Sequence, residues 1–317
     1  MVSYMASIVF QQTLETTLQL SDKQRDLYKR DLYASCEYMI LYLFMISMNV
    51  SSVFGVLGET NGEISDKYPV LIVPAGRAFS IWGLIFALTG VFTIMNIFIT
   101  VKKGHVVYFY CLKPLFIINN ILNGMWSVFF ANSYFIFCLI SILFILFTNI
   151  TMYLIIYYSH VNDPQHRPIF RLLQHDHLSL KKRILEIVRR FFEYGWISVY
   201  TGWISVATIV NFALVLKYNA GLEQTYDSVT EGEFIATVVM ITVAAVIGIS
   251  FAIACMEWGF LLTVGWAVLN IASRCNSMDT SNIYQRCGEV ANVVGSVSII
   301  LSIVVMVVSL FRQRGLL

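Results

Sequence analysis

Eight long apolar stretches divide this chain, and they limit its fold more than any other feature of the sequence. They cover residues 36–58, 76–101, 110–131, 134–158, 193–217, 233–255, 258–273 and 288–311. A helix that crosses a bilayer needs about 20 mostly apolar residues, whereas the strands of a membrane barrel alternate in polarity over segments of about ten. The stretches are continuously apolar, so they predict an all-α fold, a polytopic membrane helical bundle of about eight spans.

Composition supports an integral, multi-pass membrane protein. Only 13% of the residues are charged and 58% are hydrophobic, whereas soluble domains contain about 25% charged residues. A mitochondrial membrane and a bacterial plasma membrane are both compatible with this composition. We divide the chain into a polar N-terminal segment (1–35), a core of five spans (36–217) that includes a basic interfacial loop (159–192), and a C-terminal extension of three spans (218–317).

The basic residues are distributed unevenly between the two sides of this bundle. With eight spans, 16 of the 21 Lys and Arg residues fall on the side that carries both termini. Basic residues are enriched on the cytoplasmic side of membrane proteins. The sequence therefore predicts that both termini face the cytoplasm or a matrix-like compartment. The loop 59–75 lies on the opposite side, and its turn-forming Asn61-Gly62, Pro69 and Pro74 predict an ordered cap above the second span.

Tryptophan and asparagine side chains recur inside three of the predicted spans, together with one alanine. The set is Trp82, Asn123, Trp126, Trp203, Ala207 and Asn211. Asn123 and Trp126 are one helical turn apart, and Trp203, Ala207 and Asn211 follow the i, i+4, i+8 spacing of one helix face. Polar groups in hydrocarbon need hydrogen-bond partners or a cavity. Two interpretations stay open: ordinary packing between helices, or a shared pocket in which the small Ala207 leaves room for a guest.

Other polar residues give no sign of catalysis or of a metal site. The sequence has no nucleotide-binding loop, no nucleophile elbow, no zinc-binding motif and no basic, aromatic surface for nucleic acid. We therefore expect no enzyme activity, no metal and no nucleic acid partner. Arg77, in the first turn of the second span, is expected to pair with Glu63 or Asp66, or to face an anionic ligand. Cys275 and Cys287 lie close in sequence and are either a disulfide or two free thiols.

At the tryptophan-bearing spans the chain resembles the TspO/MBR family, which includes the tryptophan-rich sensory proteins and the mitochondrial translocator protein. Three motifs of the family occur in order, over about residues 36–217. They are a proline eight residues before a tryptophan (Pro74 and Trp82), Asn-x-x-Trp followed by Phe-Phe (Asn123, Trp126, Phe129 and Phe130), and Trp-x-x-x-Ala-Thr-x-x-Asn (Trp203, Ala207, Thr208 and Asn211).

The resemblance implies a five-helix core around an intramembrane pocket that binds or translocates a porphyrin, a sterol or a lipid. The six residues of the recurring set match the family's pocket positions. The three further spans have no counterpart in short family members, so they either close the pocket or dock to another protein. The alternative function is therefore a non-catalytic accessory subunit of a large membrane assembly, such as a respiratory or ATP synthase complex. Partners would then be other membrane subunits or a second copy of the chain.

Overall fold

The computed structural model describes residues 22–103, 107–162, 180–219, 229–255, 257–278 and 282–312. All regular structure in these ranges is helical, which confirms the predicted all-α class. The α-helices are α1 Asp22–Val53, α2 Asn61–Lys67, α3 Ile81–Lys103, α4 Val107–Ala131, α5 Phe135–Asn162, α6 Leu180–Tyr218, α7 Glu231–Cys255, α8 Gly259–Ser277 and α9 Asn282–Arg312. One 3₁₀ turn, Gly76–Ser80, leads directly into α3.

Each of the eight predicted spans coincides with a long helix. Within the described ranges, seven of these helices are long and apolar enough to cross a membrane, and α8 is not among them. The 19 residues of α8 extend over about 28 Å, close to the thickness of the hydrocarbon core. α8 is less apolar because it is enclosed by other helices. Its polar Asn270 and Thr263 are buried against protein rather than lipid.

The five helices of the predicted core form a closed ring. α1 contacts α3 and α4, α4 contacts α5, α5 contacts α6, and α6 contacts α3. α8 packs against α6 outside this ring, and α7 and α9 pack against α8 and each other. Close backbone approach allows the α6–α8 contact, because a Cβ atom on Gly202 would lie 2.7 Å from the backbone oxygen of Phe260.

An ordered segment closes one end of the ring, as the turn-forming residues predicted. We call residues 61–80, which comprise α2, the following loop and the 3₁₀ turn, the lid. α2 begins with a capping box, in which the Thr60 side chain accepts from the Glu63 backbone N–H while the Glu63 carboxylate accepts from the Thr60 backbone N–H. These hydrogen bonds lower the pKa of Glu63, since they favour its charged form. The lid is thus a folded cap and not a tether.

The less basic side predicted from the sequence is the lid end of the bundle. Four of its five basic residues form ion pairs there: Lys67 with Glu59, Lys217 with Glu233, Arg274 with Asp66 and Arg286 with Glu231. That both termini face the cytoplasm or a matrix-like compartment stays a prediction, because the structure contains no membrane. Much of the basic loop 159–192 lies outside the described residues, although its last part is helical from Leu180 onward.

Candidate functional site

Three tryptophans from three helices converge beneath the lid. Trp82 in the first turn of α3 lies with its ring centroid 6.3 Å from that of Trp126 on α4 and 6.2 Å from that of Trp203 on α6. Phe79 of the lid meets Trp203 edge-on at 5.9 Å, and Phe130 stacks on Trp126 at 4.8 Å. The geometries are the tilted, stacked and edge-to-face arrangements that aromatic pairs prefer. The result is one continuous aromatic wall inside the ring.

This wall encloses a mainly apolar cavity, which we call the tryptophan cavity. Its lining comes from the lid, α3, α4 and α6: Ile64, Ser65, Val73, Pro74, Phe79, Trp82, Trp126, Phe130, Trp203, Val206, Ala207, Val210, Asn211 and Leu214. The cavity offers about 30 Å³ to the centres of water-sized molecules, and one water needs about 10–15 Å³ by this measure. The structure is therefore a closed state in which the aromatic rings nearly meet.

Two polar groups define the chemistry of the cavity. Asn211 accepts a hydrogen bond from Trp126 Nε1 at 3.3 Å, and its own amide nitrogen donates to the Ala207 carbonyl at 2.8 Å. Trp203 is 2% exposed, and its Nε1–H has no acceptor among the described residues. An unpaired buried donor costs free energy. The indole N–H of Trp203 is therefore a buried donor without a partner, on a residue that lines the cavity.

Five of the six residues selected from the sequence line this one cavity: Trp82, Trp126, Trp203, Ala207 and Asn211. The structure brings them together from spans that are far apart in sequence. That they bind a ligand stays a prediction. Asn123, the sixth residue, is buried elsewhere and does not line the tryptophan cavity.

Asn123 belongs instead to a hydrogen-bond network between helices. Its carbonyl oxygen accepts from Asn49 Nδ2 on α1 at 2.6 Å, and its amide nitrogen donates to the Tyr200 hydroxyl on α6 at 2.6 Å. Ser127 Oγ then donates to Asn49 Oδ1 at 3.2 Å. Because both ends of the Asn123 amide are occupied, its role in this structure is to connect α1, α4 and α6.

Replacing Asn123 by alanine is therefore expected to reduce stability and to spare ligand affinity. The change leaves Asn49 and Tyr200 without their partner, and we expect a loss of about 1–2 kcal/mol in reversible unfolding by denaturing detergent. The affinity of the tryptophan cavity should change by no more than about twofold. Asn132→Ala, at an exposed position, is the matched control. A large loss of affinity without a loss of stability would place Asn123 in the binding site.

The prediction that Arg77 pairs with Glu63 or Asp66 is wrong. Arg77 Nε donates to Asn270 Oδ1 on α8 at 2.8 Å. The C-terminal end of α8 reaches the lid, where Arg274 forms an ion pair with Asp66 at 3.2 Å. Glu63 is already hydrogen-bonded to Thr60 in the capping box of α2. These contacts join the lid to the C-terminal helices.

The structure resolves the open cysteine pairing in favour of free thiols. Cys275 and Cys287 are both buried and unbridged. The Cys275 thiol contacts the Leu71 carbonyl of the lid at 3.9 Å. The two residues therefore pack at the junction between the lid and the C-terminal helices.

Sequence reasoning missed the lid residues of the cavity and one face of α6. Val206, Val210 and Leu214 lie three residues after Trp203, Ala207 and Asn211, respectively. The i, i+3 relation was a usable signal for this second row. No comparable signal marked Ile64, Ser65 and Val73, since Ile64 and Ser65 lie on the short helix α2 and Val73 lies in the loop after it, outside every predicted span.

Comparison with known families agrees with this architecture. The family model described as "TSPO-like protein" matches residues 35–311. The match extends beyond the core (36–217) and includes the three C-terminal helices. No curated protein and no solved structure gives a significant match to the chain. Since the matched region covers most of its length, the chain belongs to the TSPO-like protein family.

Proposed function

We propose that this membrane protein binds or translocates a hydrophobic ligand in the tryptophan cavity, without catalysing a reaction on it. The observation that carries the proposal is the convergence of Trp82, Trp126 and Trp203 on one buried, mainly apolar cavity. Ligand sites are typically concave and apolar, with a few polar groups that fix orientation. Family membership supports the same kind of site.

The lining favours a flat, largely apolar molecule with at least one hydrogen-bond acceptor. Large aromatic side chains provide 150–250 Å² of contact area each and a preference for stacked or edge-on rings. Trp203 Nε1–H supplies the unpaired donor, and Asn211 adds a second polar edge. Porphyrins and sterols fit these requirements, and lipids are a third candidate class.

Binding requires the cavity to open. The volume of about 30 Å³ holds only about two or three waters, whereas ligand sites commonly measure about 300–1,000 Å³. Because Ile64, Ser65, Val73 and Pro74 form part of the lining, displacement of the lid enlarges the cavity most directly. The described conformation then corresponds to the closed state of a binding cycle.

A direct test is the binding of radiolabelled protoporphyrin IX and, separately, cholesterol to protein captured on beads in lipid nanodiscs. Trp126→Leu should weaken binding by about tenfold or more, because it removes an aromatic wall of the cavity. Trp196→Leu is the matched control, since Trp196 is equally buried and stacks on Phe92 at 4.5 Å but does not line the cavity. Failure of the wild-type protein to bind either ligand, or equal losses in the two variants, would refute the proposal for these ligands.

A further inference from the structure

The C-terminal helices form hydrogen bonds with the lid, but none of their described residues lines the tryptophan cavity. Within the described residues, the lining ends at Leu214, before α7 begins. α7 and α8 nevertheless hold the lid at several points along its length. These contacts indicate that the C-terminal helices affect the cavity indirectly, by fixing the position of the lid.

Glu233 on α7 connects the lid to the ring. Its Oε1 accepts the Leu71 backbone N–H at 2.6 Å, and its Oε2 accepts from Lys217 Nζ at 3.1 Å. The two charged side chains are only 15% and 5% exposed, respectively. Glu233 also lies in the first turn of α7, where the helix dipole favours a negative charge. One carboxylate thus joins α6, α7 and the lid.

α8 holds the lid at both ends. Near the start of the lid, Arg274 Nη2 donates to the Ser65 carbonyl and to Asp66 Oδ1, each at 3.2 Å. Near its end, Asn270 accepts from the Ala75 backbone N–H at 3.0 Å and from Arg77 Nε at 2.8 Å. Ser65 is itself a lining residue, and Ala75 directly follows the lining residue Pro74. The hydrogen bonds from α8 are therefore made where the lid covers the cavity.

We propose that Glu233 and Arg274 are positioning residues that latch the lid and limit the rate at which ligand enters the tryptophan cavity. The proposal rests on the proposed function for its ligand, but the latch itself is a property of the protein alone. Hydrogen bonds with a charged partner are stronger than neutral ones. Glu233 and Arg274 should therefore stabilise the closed position of the lid more than the neutral contacts do. Because a ligand fits only when the lid is displaced, the latch opposes binding, and its loss should raise the association rate and tighten the equilibrium affinity.

The first arm of the test measures lid opening without ligand, by hydrogen–deuterium exchange on the full chain in nanodiscs. Glu233→Gln and Arg274→Ala should each speed exchange of the lid amides, including Leu71 and Ala75, by about tenfold. Asp66→Ala removes the Arg274 ion pair from the exposed side and should give a smaller acceleration confined to the lid. Arg286→Ala is the matched control, since its ion pair with Glu231 at 2.8 Å joins α9 to α7. Unchanged lid exchange in both Glu233→Gln and Arg274→Ala would overturn the latch.

The second arm measures association and dissociation rates of protoporphyrin IX with the same proteins. We expect the association rate to rise and Kd to fall, each by a factor of about ten, with a change in the dissociation rate of no more than about threefold. A lid that opens faster while the association rate stays unchanged would also overturn the proposal. If the wild-type chain binds no ligand, the proposed function fails, and the exchange arm still decides whether Glu233 and Arg274 hold the lid.

Discussion

Replacing Ala207 by phenylalanine is expected to abolish ligand binding, with a loss of affinity of about a hundredfold or more. Ala207 lies on α6 between Trp203 and Asn211 and is the smallest side chain of the cavity lining. A phenyl ring at this position would occupy the space between the aromatic walls. The variant removes no hydrogen-bonding group of the wall, so the loss would reflect excluded volume rather than missing partners.

The measurement is the same radioligand titration in nanodiscs, with protoporphyrin IX as the ligand. Ala236→Phe is the matched control, because Ala236 is exposed on α7 and the same ring added there would face lipid. The control should bind as the wild type does. Undiminished binding by Ala207→Phe would show that the ligand site lies elsewhere in the bundle.

Replacing Lys217 by methionine is expected to cost about 3–5 kcal/mol of stability. The Lys217 side chain is only 5% exposed and pairs with Glu233 at 3.1 Å. Removing the ammonium group leaves the carboxylate buried without its counter-charge, and this penalty exceeds the loss of the attraction itself. Because Glu233 also binds the Leu71 amide, the lid should loosen in the same variant.

Unfolding by denaturing detergent, followed by circular dichroism, measures this loss. Lys67→Met is the control, because Lys67 and Glu59 form a pair whose side chains are 52% and 41% exposed. Exposed pairs contribute little, so this control should unfold like the wild type. The double variant Lys217→Met, Glu233→Met should recover part of the loss, since it removes the uncompensated charge. Equal unfolding of the two single variants would contradict the account of a buried, structurally important pair.

The helices of the bundle could be predicted because their signal is local. Continuous apolar stretches predicted all eight long helices, and α1 and α6 exceed their predicted spans only at their N-terminal ends. There, charged residues extend the helix beyond the apolar part: α1 begins at Asp22 and α6 at Leu180. Hydrophobicity locates the membrane-embedded part of a helix, but helix propensity and capping determine where it begins.

The candidate site was predictable only in part, for a related reason. Trp203, Ala207 and Asn211 share a face of one helix, so their spacing alone placed them together. Asn123 lies one helical turn before Trp126, but its side-chain amide binds Asn49 and Tyr200 instead. An asparagine within a span satisfies its amide equally well by a neighbouring helix or by a ligand, and the sequence does not distinguish these.

The contacts between the C-terminal helices and the lid could not be predicted from the sequence. Their bonds to the lid join residues about 160–210 positions apart, and no periodic pattern encodes such contacts. Arg77 illustrates the limit. Carboxylates nearby in the sequence made an ion pair the natural expectation for Arg77. In the folded chain, however, Arg77 donates a hydrogen bond to Asn270 of α8.

Photo-crosslinking of the full-length protein in nanodiscs tests the central claim most directly. A diazirine-bearing cholesterol analogue and photoactivated protoporphyrin IX are the two probes, and the adducts are mapped by mass spectrometry. The account predicts adducts on cavity residues of α6 and α4, including Val210 and Trp126, that excess unlabelled ligand suppresses and Ala207→Phe eliminates. Adducts confined to lipid-facing residues such as Phe144 and Phe147, which are 56% and 64% exposed, would contradict a ligand site in the tryptophan cavity.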